Sequence, residues 1–119
     1  MKPVILCYEK CTTCKKALKW VEEKGCDVQV RPIREENPSV EELKQWHESS
    51  GLPLKRFFNT SGNLYKEMKL KDKLASMSEA EQYQLLSTDG MLVKRPILVT
   101  ENGVCPGFQA EHWERLLRV

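Results

Sequence analysis

An α/β fold, a mixed sheet flanked by helices, is what the 119-residue sequence predicts, and three observations carry that expectation. The apolar run Val4-Ile5-Leu6-Cys7 gives way to helical spacing, and Val28 and Val30 then alternate with polar neighbours. Near the other end, Ile97-Leu98-Val99 and Val104-Cys105 flank Glu101-Asn102-Gly103, a hairpin signal. Between these lies a stretch, about 52–90, of short helical segments and turns. The order is βαβα, helical insertion, ββα, and a sheet sandwiched by helices is its economical arrangement.

Taken in order, the first strand is short and apolar. Cys14, Ala17, Leu18 and Val21 then repeat at i, i+3, i+4 and i+7, the stripe of an amphipathic helix that stops at Lys24-Gly25. A second strand runs to about Arg31. A strand–helix–strand opening implies a parallel pair, because the crossover is made by a helix. Asn37-Pro38-Ser39 followed by Glu41 and Glu42 starts a second helix that turns Val40, Leu43, Trp46 and His47 inward or to the boundary and ends near Gly51. In the insertion, Leu54, Phe57 and Phe58 form one apolar turn, and Asn59-Thr60-Ser61-Gly62 breaks it. Ser78 and Glu81 make a capping box for a helix reaching about Thr88, with Gly90 at its end. The last helix starts near Gln109 and buries Trp113, Leu116 and Leu117 in part.

The size suits a single domain spanning 1–119. With 40% hydrophobic and 30% charged residues the composition is that of a soluble globular chain. Nineteen basic against seventeen acidic residues give no electrostatic case for nucleic-acid or membrane binding. No apolar run approaches the ~20 residues that span a bilayer, and the N-terminus carries no signal-peptide core, so a cytoplasmic location is expected. Five cysteines, an odd number, argue against a structural disulfide framework. In a reducing compartment, cysteines that do pair are catalytic, redox-sensing or metal-binding.

Cys11-Thr12-Thr13-Cys14 is where the sequence turns chemical. Cys11 falls at the start of the first helix, where unpaired amides and the helix dipole favour an anion and lower a thiol's pKa. Lys10, Lys15 and Lys16 add positive charge nearby, and Thr12 and Thr13 offer amide donors to the same charge. A thiolate there can attack a disulfide or other oxidised centre, with Cys14 one turn on to close an internal disulfide. A zinc site is disfavoured, since it takes about four ligands and no second CxxC or HxxxH exists. The spacing of Cys7, Cys11 and Cys14 also matches the three-cysteine pattern of radical-SAM iron–sulfur enzymes, but those use a partial or full barrel, and a full one needs ~250 residues. Cys7, Cys26 and Cys105 read as structural, with Cys105 on a hairpin expected near the site. His47 and His112 read as solvated, Lys69, Lys71 and Lys73 as a solvated face, and Trp20, Trp46 and Trp113 as core.

A CxxC after the first strand of βαβ…ββα resembles the thioredoxin fold. Asn59-Thr60-Ser61-Gly62-x-x-Tyr65-Lys66, followed by Gly90-Met91-Leu92-Val93-Lys94-Arg95-Pro96-Ile97, resembles the ArsC/Spx family of arsenate reductases and redox-responsive regulators across essentially the whole chain. The resemblance implies that Cys11 is the nucleophile, Cys14 the second cysteine of disulfide-forming members, and Arg95 the arginine that holds a substrate anion. It implies a cis bond before Pro96, beside the thiols. It departs from the glutaredoxin-coupled arsenate reductases at Ser61 and at Pro106 and Gly107, where they carry arginines. Spx-type regulators typically extend further at the C-terminus. The implied activity is thiol–disulfide oxidoreduction without a bound cofactor or metal, with glutathione, glutaredoxin or thioredoxin as reductant. The alternatives are a redox-sensing regulator that binds the RNA polymerase α subunit, and arsenate reduction itself.

Overall fold

The four strands of the computed structural model, which describes residues 2–119, form a mixed sheet in the order β2-β1-β3-β4. β1 (Val4–Cys7) pairs in parallel with β2 (Gln29–Pro32) and antiparallel with β3 (Ile97–Thr100), which pairs antiparallel with β4 (Gly103–Pro106). Helix α1 (Thr12–Glu23) makes the crossover between β1 and β2. α2 (Val40–Ser50) follows, then a short 3-10 turn at Leu54–Phe57. The insertion continues through α3 (Asn63–Glu67), α4 (Leu70–Lys73) and α5 (Glu79–Thr88), and α6 (Ala110–Leu117) ends the chain. The predicted order βαβα, insertion, ββα is the observed one.

Alternation along the strands sorts the core onto two faces. Leu6, Ile97 and Val104 join Leu43, Trp46, Phe57, Phe58 and Leu86 in a cluster under α2 and the insertion. Ile5, Cys7, Leu98 and Cys105 point the other way, into a cluster with Cys14, Ala17 and Val21 of α1 and Trp113 and Leu116 of α6. Cys7 and Cys14 therefore share one face because of strand parity and helix spacing.

The helix starts lie where the residue chemistry places them. Ser39 accepts from Glu42 N at 3.1 Å while Glu42 Oε1 accepts from Ser39 N, a full capping box, and Ser78 with Glu81 repeats the arrangement. Gly25 and Gly51 take positive φ just past the ends of α1 and α2. Two details differ from the sequence reading. The second strand begins at Gln29 rather than at Val28, and Val30 is 50% exposed, because β2 lies at an edge of the sheet where the core does not extend over it. His47 is not solvated: its Nδ1 lies 2.6 Å from the Tyr83 hydroxyl, and its ring packs edge-on against Phe57.

Arg31 ties β2 to α2 through a two-pronged bond to Glu42, at 2.7 and 3.0 Å, while its guanidinium lies over Trp46. Glu42 is thus both cap and ion-pair partner. The Arg31 guanidinium holds its carboxyl below the ordinary carboxylate value. Its contribution is complete above the unfolded value of about 4.5 and is lost as pH falls through the lowered folded value. Glu42→Ala is expected to cost about 1–2 kcal/mol in urea unfolding at neutral pH, and less in acid.

Candidate functional site

The chain leaves β1 at Cys7, turns through Tyr8, whose carbonyl accepts from Cys11 N at 3.0 Å, and enters α1 with Cys11 as its N-cap. Cys11 has extended dihedrals and its side chain caps no backbone amide of the helix, so the first-turn amides, those of Thr12 and Thr13 among them, stay open to an anion. Cys11 is half-buried, while the Thr12 and Thr13 side chains are exposed. Cys14, one turn on, is 1% exposed.

Cys14 Sγ is an acceptor at the centre of a small set of donors. Tyr8 N donates to it at 3.4 Å, the side chains of Cys7 and Cys11 interact with it, and the charge of Arg95 is close enough to act. These outweigh burial and lower the Cys14 thiol to about 6, the Cys7 interaction contributing most. Cys7 moves in the opposite direction, above the ordinary thiol range, because its interaction with Cys14 and its own burial both favour the neutral thiol. All five cysteines are free thiols.

Arg95 stands on the opposite flank. Its peptide bond to Pro96 is cis, as the resemblance implied, and its guanidinium lies 4.9 Å above the Tyr8 ring. Its Nε is buried with no hydrogen-bond partner, and one Nη1 contact reaches only the Met91 sulfur, at 4.0 Å. Arg95 lines a cavity of about 490 Å³ together with Asn59, Ser61, Gly62, Asn63, Leu64 and Met91. A short antiparallel bridge holds that wall together: Phe58 pairs with Val93, Lys94 N donates to Phe57 O at 2.8 Å, and Asn59 N donates to Leu92 O at 2.8 Å. Cys11, Thr12, Thr13 and Pro96 are not part of the cavity wall, so Arg95 and Tyr8 connect it to the thiols.

The end of the hairpin is fixed just as tightly. Gly107 N donates to Pro96 O at 2.7 Å, and its own carbonyl accepts from Trp113 Nε1 at 3.0 Å and from the Cys105 thiol at 3.4 Å. Gly107 has φ +85°, and a β-carbon there would sit 3.2 Å from Lys94 Cε. Cys105 is therefore a buried donor in the support of the proline loop, and burial pushes its thiol up.

This geometry is that of a known family. The ArsC family profile matches residues 6–116. The chain belongs to the ArsC family. A protein from Bacteroides fragilis described as related to the ArsC family has 54% identity and superposes with a TM-score of 0.95, over 98% of each chain. A possible arsenate reductase from Streptococcus mutans UA159 is 38% identical with a TM-score of 0.87, covering 94% of this chain and 97% of that one. The global transcriptional regulator Spx of Bacillus subtilis (strain 168) is 28% identical over 107 residues, 90% of this chain and 80% of its own. Arsenate-reductase-like enzymes and Spx regulators are thus both among the relatives of this ArsC-family chain, and its α/β sheet is their thioredoxin-like one.

Sequence reasoning singled out Cys11, Cys14, Arg95 and Pro96, and Arg95 acts electrostatically on Cys14. It passed over Tyr8, Asn59, Asn63 and Met91. Tyr8 carried one usable signal: it lies between a strand and a CxxC, where its backbone must turn beside the sulfurs. The cavity residues carried none beyond membership of the Asn59–Lys66 and Gly90–Ile97 motifs. Among the described residues there is no group of three or more His, Cys, Asp or Glu placed to hold a metal, and no helix is long and apolar enough to cross a membrane.

Proposed function

We propose that this ArsC-family chain is a thiol–disulfide oxidoreductase that uses Cys11 and Cys14 as its redox pair and Arg95 as its anion-binding group. The observation that carries the reading is the placement of Cys11 at an uncapped helix start, one turn from a buried sulfur that its surroundings favour as a thiolate.

In the first step the Cys11 thiolate attacks one sulfur of a substrate disulfide. A Cys11–substrate bond forms, the substrate S–S bond breaks, and the other half leaves as a thiolate. Cys14 thiolate then attacks Cys11 Sγ, releases the bound half as a second thiolate and leaves a Cys11–Cys14 disulfide. Two electrons from glutathione, glutaredoxin or thioredoxin return both sulfurs to thiols. The Arg95 guanidinium takes a carboxylate of the substrate, and the amides of Asn59 and Asn63 offer neutral partners to the rest of it.

The cavity favours an organic, anionic disulfide over a small oxyanion. About 490 Å³ falls in the range of drug-sized ligand sites. Its wall supplies a single guanidinium, with Ser61 where the arsenate reductases have an arginine, and neutral amides for the remainder. A tetrahedral oxyanion of one to two charges is better served by several guanidinium forks.

A coupled turnover assay comparing arsenate, a glutathione mixed disulfide and a protein disulfide tests the proposal. Turnover of a disulfide that Cys11→Ser abolishes is the expected result. Arsenate-dependent consumption of reductant with no disulfide turnover would replace this reading with arsenate reduction. Arg95→Ala is expected to raise KM for a carboxylate-bearing disulfide about tenfold or more while changing it little for a neutral one. Equal losses on both substrates would remove Arg95 from substrate binding.

The Spx likeness supports a second reading, a redox-sensing regulator with the CxxC as its switch. It predicts oxidation-dependent retention of the RNA polymerase α subunit and no turnover of any small disulfide.

A further inference from the structure

Met91 sets a thioether beside the guanidinium of the Arg95 cavity. The 3-10 turn Gly90–Leu92 fixes its backbone: Asp89 Oδ1 accepts from Met91 N at 2.8 Å, and Leu92 N donates to Asp89 O at 3.0 Å. Arg95 follows four residues on, and its Nη1 lies 4.0 Å from Met91 Sδ. Met91 is part-buried and lines the cavity, so a small solute that enters meets the sulfur. A thioether is a weak acceptor and leaves the guanidinium available to a stronger one. Its oxidised form, the sulfoxide, is polar and carries an oxygen. One bond length beyond Sδ, that oxygen comes within the about 2.7–3.2 Å of an N–H···O bond to Nη1.

We propose that Met91 is a modification site: its oxidation by hydrogen peroxide to the sulfoxide supplies an internal acceptor to Arg95, in competition with a substrate anion. The sulfur gives its lone pair to one peroxide oxygen, so that an S–O bond forms and the O–O bond breaks. The other oxygen leaves as hydroxide and becomes water with the proton of the transferred hydroxyl. Sulfur loses two electrons and the peroxide gains them. The effect on substrate rests on the reading of Arg95 as the anion-binding group. This oxidation differs from that of Cys11 and Cys14 in what undoes it. Thiols return a disulfide to its reduced pair, whereas the two sulfoxide epimers each need their own methionine sulfoxide reductase. The block at Arg95 therefore outlasts recovery of the thiols.

In the test, the full chain is treated with hydrogen peroxide and then with dithiothreitol, which returns disulfides to thiols and leaves sulfoxides in place. Peptide mass reads oxidation at Met91, with Met68 and Met77 as internal comparisons. Heteronuclear NMR of the arginine side chains, with Arg95 assigned through Arg95→Lys, reads exchange of its guanidinium protons with water. One oxygen on Met91 and exchange at Arg95 slowed about fivefold, the worth of one hydrogen bond, are expected. Methionine sulfoxide reductases A and B together restore the parent rate. Met91→Leu keeps that rate through the same treatment, and Met91→Gln, with an amide oxygen in place of the sulfur, slows exchange without peroxide. Met91 left unoxidised while Met68 and Met77 take up oxygen overturns the proposal. So does an unchanged Arg95 rate once Met91 is oxidised, or a Met91→Leu protein that slows equally. On the same samples, KM for the carboxylate-bearing disulfide is expected to rise about fivefold. If it stays level although Arg95→Ala raises it, the competition is overturned. If neither change moves KM, the anion-binding reading of Arg95 fails and the Met91 contact stands.

Discussion

Cys11→Ser removes disulfide turnover almost entirely, a fall on the order of 10³-fold or more, because a serine hydroxyl does not ionise near neutrality and cannot replace a thiolate nucleophile. Cys14→Ser has a different signature. The first exchange still runs, but no second sulfur attacks the adduct, so the substrate half stays bound to Cys11 and accumulates as a mixed disulfide visible by intact mass. The two variants thus divide the cycle at its intermediate. A Cys14→Ser protein that turns over at the parent rate would mean that an external thiol, not Cys14, resolves the adduct. The resolving step carries its own pH dependence. Cys14 must be ionised to attack, and its thiol is lowered to about 6. The single-turnover rate of adduct resolution therefore rises as pH passes upward through about 6 and is flat above it. A midpoint near that of an ordinary thiol would contradict the environment described for Cys14.

Gly90→Ala is the largest stability loss expected from a one-carbon change. A β-carbon at this position would overlap the carbonyl oxygen of Ile33 and come within 2.8 Å of its carbonyl carbon, and both are backbone atoms that no rotamer can clear. The chain just after β2 and the turn that leads to Met91 would have to part. The cost is about 3 kcal/mol, and roughly 10 °C in thermal midpoint for a chain of this size. Met91 and Arg95 follow directly, so the cavity wall shifts with the backbone, and KM is expected to rise alongside the loss of stability. Thermal unfolding at the parent midpoint would show that the contact relaxes without strain.

The elements written into local pattern were legible in the sequence. Ser39 with Glu42 and Ser78 with Glu81 announce helix starts from a four-residue signature, and the Cys14–Ala17–Val21 stripe fixes which side of α1 is buried. The place of Cys11 at the helix start followed from the same stripe. Other features depend on chain closure, which spacing does not encode. Val30 alternates as a core residue would, but the sheet order leaves its strand at the edge. His47 lies among charged neighbours in sequence, and only the packing of α5 against α2 supplies Tyr83 as its partner. Cys7 is the instructive case. Parity already placed it with Ile5 on the face opposite Leu6, yet its nearness to Cys14 depended on α1 lying over that face with Cys14 inward. Asn59 and Asn63 lie in one segment and Met91 in another far along the chain, so their joint cavity exists only once Phe58 has met Val93.

The sheet order also has a bearing on how the protein is made. β1, at the centre, takes its second neighbour from β3, near the far end of the chain, and Leu6 waits for Ile97. Emerging from the ribosome, the amino-terminal βαβ unit presents its cysteines before the strand and the arginine that enclose them have been synthesised. For that interval Cys7, Cys11, Cys14 and Cys26 are bare to any oxidant, and nascent chains stalled before residue 95 are the species in which off-pathway disulfides should be sought.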